Sequence, residues 1–96
     1  MIQSFADDAT RAVYDGVNTK PARRLPNTLW PIIRRKLDAL NAVSRVELLR
    51  EPSGNRLEAL KGDRAGSWSI RVNDQYRITF RFVDGHAHDV ACEDYH

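Results

Sequence analysis

The apolar residues of this chain change period part-way along. Between Leu29 and Val43 they fall at Leu29, Ile32, Ile33, Leu37, Leu40 and Val43, the spacing of one helical face, while Arg34, Arg35, Lys36 and Asp38 cover the rest. From Trp68 onward they alternate: Trp68, Ile70 and Val72, then Tyr76, Ile78, Phe80 and Phe82, set against Ser69, Arg71, Arg77, Thr79 and Arg81. A chain of 96 residues that is helical first and stranded afterwards has room for one core. It is expected to form a single α+β domain over 1–96, with two N-terminal helices packed on one face of a mainly antiparallel sheet.

The punctuation agrees with that order. Ile2 to Phe5 is a short apolar segment suited to a first strand, and Asp7 is placed to cap a helix through Ala9, Ala12 and Val13 that stops at Gly16. Val17 to Pro26 is polar, basic and interrupted by proline, which reads as a loop. The second helix begins between Thr28 and Pro31, because a proline in the first turn has no intrahelical bond to lose. Pro52-Ser53-Gly54-Asn55 marks a turn, Leu57 to Leu60 a short strand, and Asn73-Asp74 and Asp84-Gly85 the reversals of a meander whose last strand runs from about His86 to Cys92. Trp68 is expected in the core.

Charge excludes little. The formal net charge is +2, yet Lys20, Arg23, Arg24, Arg34, Arg35, Lys36, Arg45 and Arg50 are opposed between positions 20 and 50 only by Asp38 and Glu47. Such a run suits a polyanion or simply a solvated helix face. Cys92 is a lone cysteine in an alternating stretch and reads as a small buried hydrophobe. Met1-Ile2 followed by Gln3-Ser4 offers neither a signal peptide nor a membrane span, so a cytoplasmic protein with no membrane partner is expected. No His, Cys and carboxylate cluster has zinc spacing, and there is no phosphate-cradling glycine loop or nucleophile elbow; His86 and His88 read as hairpin surface residues.

If the apolar face of the sheet meets the helices, Arg71, Arg77 and Arg81 are left together on the other face, with Lys61 and Arg64 on the strand end and turn before them. That is a cationic surface fit to hold a phosphate backbone, or a solvated polar face of the kind antiparallel sheets commonly have.

Leu60-Lys61-Gly62-Asp63-Arg64, Trp68-Ser69-Ile70-Arg71-Val72, Tyr76-Arg77-Ile78-Thr79-Phe80 and the closing Glu93-Asp94-Tyr95-His96, in that order and spacing, resemble the HigB branch of the RelE/ParE superfamily of bacterial toxins, as does the opening Met1-Ile2-Gln3-Ser4-Phe5. The resemblance implies a RelE-like fold and a ribosome-dependent endoribonuclease, an mRNA interferase that works without cofactor or metal. It also implies a HigA-type helix-turn-helix antitoxin encoded alongside, through which alone operator DNA is bound, and a ribosome carrying mRNA whose rRNA phosphates meet the basic residues.

Cutting RNA without a metal requires a base for the 2′-hydroxyl, an acid for the leaving 5′-oxygen and positive charge for the phosphorane between them. By resemblance the phosphate falls to Lys61 and Arg77, the proton transfers to Asp94 and His96, and a stacking or orienting contact with a base to Tyr95. Arg56, Arg64, Arg71 and Arg81 are the candidate contacts to the RNA backbone. One position departs: the better-known family members carry a histidine three residues before the lysine, where this chain has Glu58, in an Arg56-Leu57-Glu58 stretch that resembles a subgroup variant. Glu58 is either a retuned catalytic group or a carboxylate that pairs with Arg77 or Arg56 across the sheet. Two other readings stand beside the nuclease, a ParE-like inhibitor of gyrase and a weakly catalytic module that binds RNA or its antitoxin.

Overall fold

The computed structural model describes residues 1–94 of the chain; Tyr95 and His96 lie outside them. Helix α1 (Asp8–Asp15) begins where Asp7 Oδ1 accepts the Thr10 N–H at 2.7 Å. It ends at Gly16, whose φ of +76° lets the Val17 N–H turn back to the Ala12 carbonyl at 3.0 Å. Helix α2 (Trp30–Ala42) follows a single 3₁₀ turn at Asn27–Leu29 and carries Pro31 in its first turn. No helix among the described residues is long and apolar enough to cross a membrane.

The sheet is antiparallel in the order β1 (Glu58–Ala59), β2 (Ser67–Arg71), β3 (Tyr76–Val83) and β4 (His86–Asp94). The β3–β4 hairpin turns on Asp84 and Gly85, both at positive φ (52° and 82°), the geometry that an Asp-Gly pair favours. Any side chain at Gly85 would also start 3.3 Å from the Ser44 carbonyl oxygen. The N-terminal segment adds to the sheet beyond β4, and it does so in parallel: Ile2 bridges Ala87 and Phe5 bridges Val90. It is a pair of bridges rather than the regular strand expected, because β4 is irregular there. A register shift falls between Thr79 and Arg81 of β3, Asp89 has a φ of +54°, and its N–H goes to the Ser4 hydroxyl at 2.9 Å.

Both helices cover one sheet face. Ile33, Leu37 and Leu40 of α2 and Val13 of α1 close over Ile70, Ile78, Phe80 and Val90, all fully or almost fully buried. Thr10, also buried, takes the Cys92 N–H on its hydroxyl at 2.9 Å and so ties α1 to β4. Burial first, then the Asp7 and Glu93 charges, push the Cys92 thiol up to about 12, so near neutrality it remains a protonated, packed side chain.

Two expectations need correction. Trp68 is only half-buried against the core, since β2 lies next to the two-residue edge strand and little chain covers its flank; Phe80, on the central strand, is the anchoring aromatic, 1% exposed. Lys36 is not a solvated member of the α2 polar face. It bonds the Asn55 side chain, and burial, then the Arg35 and Arg71 charges, hold its ammonium below the usual lysine range. Asn55, 1% exposed, in turn donates to the Leu49 carbonyl at 3.1 Å and the Glu51 carbonyl at 3.3 Å. One amide thereby pins the segment before β1 to α2. Truncating Phe80 to alanine should cost about 3–5 kcal/mol in urea unfolding, and truncating Trp68 distinctly less; a larger loss at Trp68 would contradict this assignment of the core.

Candidate active site

Burial of Ile78 and Phe80 commits the alternate residues of β3 to the opposite face, and cross-strand register extends that face sideways. Arg77 lies opposite Arg71 on β2 and Glu93 on β4; Thr79 opposite Ser69 and Ala91; Arg81 opposite Ser67 and His88. Ser69 also faces Glu58 of β1. The polar face therefore runs in rows across the sheet, with three arginines on the two central strands, β2 and β3, and Glu93 beside them on β4.

Arg77 is held from two sides. Its Nε donates to Ser69 Oγ at 2.8 Å, and its Nη2 to the Arg56 carbonyl at 2.7 Å and the Ser69 carbonyl at 3.4 Å. Arg56 adopts a left-handed φ of 46°, which turns that carbonyl toward the sheet. Since Arg56 follows the buried Asn55, the helix layer and the guanidinium on the far face are linked through adjacent residues.

Arg64 reaches the same face from a 3₁₀ turn at Gly62–Arg64. Its fork meets the Glu93 carboxylate at 2.7 and 3.4 Å, and Nη2 also donates to Thr79 Oγ1 at 3.3 Å. The Thr79 hydroxyl donates to the same carboxylate. Burial by itself would raise the Glu93 carboxyl; the hydrogen bonds from Arg64 and Thr79 and the Arg64 charge together outweigh it and hold the group below the usual carboxylate range. This ion pair is intact at neutral pH and is lost as pH falls through that depressed value. Arg64, Glu93, Thr79, Ser67, Arg81 and Asp89 line a cleft of about 170 Å3.

The structure sorts the residues singled out from sequence. It brings Glu58, Arg64, Arg71, Arg77 and Arg81 to one face. Lys61 is exposed at the start of the turn that carries Arg64, whose N–H bonds its carbonyl at 3.3 Å. Arg56 is exposed and engages Arg77 through its backbone rather than its guanidinium. Asp94 does not share the face: it lies opposite Tyr76 in register, at the exposed end of β4, and accepts from Gln75 Nε2 at 2.9 Å. Tyr95 and His96 fall outside the described residues.

Of the two readings left open for this face, neither is a bare cationic surface: Arg64 is paired with Glu93, Arg81 with Asp89 at 3.0 Å and Arg71 with Asp74, so much of the positive charge is compensated where it stands. Glu93, Thr79, Ser69 and Asp89 are site residues that sequence reasoning missed. Among the described residues no three His, Cys, Asp or Glu side chains converge as metal ligands would.

This fold, two helices packed on one face of a four-stranded antiparallel sheet, is found among solved toxin structures. It is shared with the toxin–antitoxin complex YoeB–YefM from Staphylococcus aureus (TM-score 0.62, 18% identity, covering 100% of this chain and 98% of that one). It is shared equally with a YoeB/ParE toxin from Agrobacterium tumefaciens (TM-score 0.61, 16% identity, 98% and 99%). The chain belongs to the HigB-like toxin family, the RelE-like toxins of type II toxin-antitoxin system HigB, whose family model matches residues 3–96. Its relatives include Toxin HigB-1 of Vibrio cholerae, 40% identical over 88% of this chain and 87% of that protein. Endoribonuclease HigB of Proteus vulgaris is 36% identical over 100% of both. As a type II toxin it has a cognate antitoxin for a partner.

Arg77→Ala should leave the Arg56 carbonyl and Ser69 without their donor and lower stability by about 1.5–3 kcal/mol, measured as a shift of the urea midpoint. An unchanged midpoint would show that Arg77 braces nothing.

Proposed function

We propose that this toxin is an endoribonuclease that cuts mRNA in the ribosomal A site, without a metal, and thereby stops translation. One observation carries the reading: Arg77 is fixed at the centre of the polar face, its guanidinium oriented by Ser69 and the Arg56 carbonyl, with Glu58 on one side and the Arg64–Glu93 pair on the other. A pre-oriented guanidinium costs little reorganisation when it meets the charge that builds on a phosphorane. The name of the Proteus vulgaris relative, Endoribonuclease HigB, supports the same chemistry.

In this mechanism the 2′-oxygen attacks phosphorus as a base removes its proton, Arg77 and Lys61 stabilise the pentacovalent phosphorane, and the 5′-oxygen departs with a proton from the acid. A 2′,3′-cyclic phosphate and a 5′-hydroxyl result. His96 takes one proton transfer and Glu58, opposite Ser69 in register on the Arg77 side of the sheet, the other, while Tyr95 stacks on a codon base for roughly 1–3 kcal/mol; Asp94 lies off this face and takes no part in the proton transfers. The ribosome presents and orients the codon. Much of the exposed basic run, Arg23, Arg24, Arg34, Arg35, Arg45 and Arg50, is available for rRNA phosphates. The partner is a HigA-type helix-turn-helix antitoxin that alone brings the pair to operator DNA, and the toxin acts in the cytoplasm.

The test maps new 5′ ends on a reporter mRNA incubated with purified protein, with and without translating ribosomes. Codon-phased cuts are expected only with ribosomes, falling ~10²–10⁴-fold in single-turnover rate for Lys61→Ala or Glu58→Ala. A folded, toxic protein that cuts in neither tube would instead point to a protein target such as gyrase.

A further inference from the structure

Arg64 sits on an exposed 3₁₀ turn, yet its guanidinium lies across the sheet against Thr79 and Glu93. An unanchored arginine would sample many rotamers and lose that freedom on meeting a phosphate. Here the freedom is already gone. A two-point fork to Glu93 fixes the guanidinium plane, and a contact to Thr79 Oγ1 fixes its depth. Glu93 is itself held by the hydroxyl of Thr79, which is 2% exposed and immobile in the central strand. Against burial, the hydrogen bonds and charge of Arg64 and the Thr79 hydroxyl hold the carboxyl below its usual range, so it is ionised at neutral pH.

We propose that Glu93, with Thr79 beneath it, is a positioning residue for the nuclease: it holds Arg64 at the wall of the 170 Å3 cleft in the orientation that meets the RNA strand beside the phosphate on Arg77. The inference rests on the nuclease reading. It accounts for an otherwise odd choice, since an acid directly opposite Arg77 weakens the attraction of the face for RNA. A cleft whose walls pair Arg64 with Glu93 and Arg81 with Asp89 gives up bulk affinity and gains orientation. Glu93 should therefore act on turnover and not on capture.

A double-mutant cycle on ribosome-dependent cleavage tests this. Glu93→Gln and Arg64→Ala should each lower kcat by roughly 10- to 100-fold, with KM for the programmed ribosome unchanged or reduced in Glu93→Gln. The double variant should be no slower than Arg64→Ala alone, because Glu93 works only through Arg64. Multiplying effects, a full rate in Arg64→Ala, or a rise in KM alone for Glu93→Gln would overturn the assignment. Should Glu93→Gln melt below the assay temperature, Arg64→Lys carries the same test: it keeps the charge without the fork, and a wild-type rate would overturn the proposal. Absence of cleavage by the wild type overturns the nuclease reading and this inference with it, whereas wild-type cleavage with a multiplicative cycle overturns the inference alone.

Discussion

Burial of Ile78 and Phe80 beneath α1 and α2 is the constraint from which the rest of the molecule follows. A strand has two faces, and once these two side chains are committed to the core, Arg77, Thr79 and Arg81 have nowhere to go but the opposite side. β3 is also the strand with long neighbours on both flanks, so its register places Ser69 and Arg71 on one side and Glu93 on the other. The candidate site is thus a by-product of the core: the same alternation that stabilises the fold sets the spacing of the polar face. A slip of one residue would destroy both together.

Much of this was legible beforehand. Asp7 and Gly16 marked the ends of α1, the helical spacing from Leu29 marked α2, and Asp84-Gly85 marked the hairpin, because each is a local device that works wherever it stands. Counting outward from Cys92 places Glu93 on the polar face, but its pairing with Arg64 and Thr79 was not legible. What obscured β4 is its irregularity at Asp89. Strict alternation backwards from Cys92 would bury position 88 and expose Ala87, whereas the structure buries Ala87, Val90 and Cys92 together. Only a bulge reconciles them, and at the bulge the Asp89 N–H is taken by Ser4 from the other end of the chain. Arg64 folding back on Thr79, and Lys36 meeting Asn55, are likewise tertiary choices that a long polar side chain makes only when a partner is within reach.

The electrostatics of the face differ from those of a simple RNA-binding surface. A patch of unpaired arginines gives strong, salt-sensitive and poorly oriented attachment. Here attraction and orientation are separated in space. The exposed basic residues before β1 can supply long-range attachment, while the sheet face holds guanidiniums against acceptors chosen from its own strands. If the ribosome presents the substrate, as proposed, pre-set geometry is the part that the toxin must bring itself.

The claim on which all of this depends is that mRNA meets the polar face of the sheet. A photoreactive phenylalanine analogue installed at Ser67, on the wall of the cleft, and separately at Ala39, exposed on α2, measures it directly when each protein is irradiated on ribosomes stalled with labelled mRNA. Crosslinks to the codon from position 67 and none from position 39 are the expected result. The reverse pattern would place the substrate on the helical side and contradict the account.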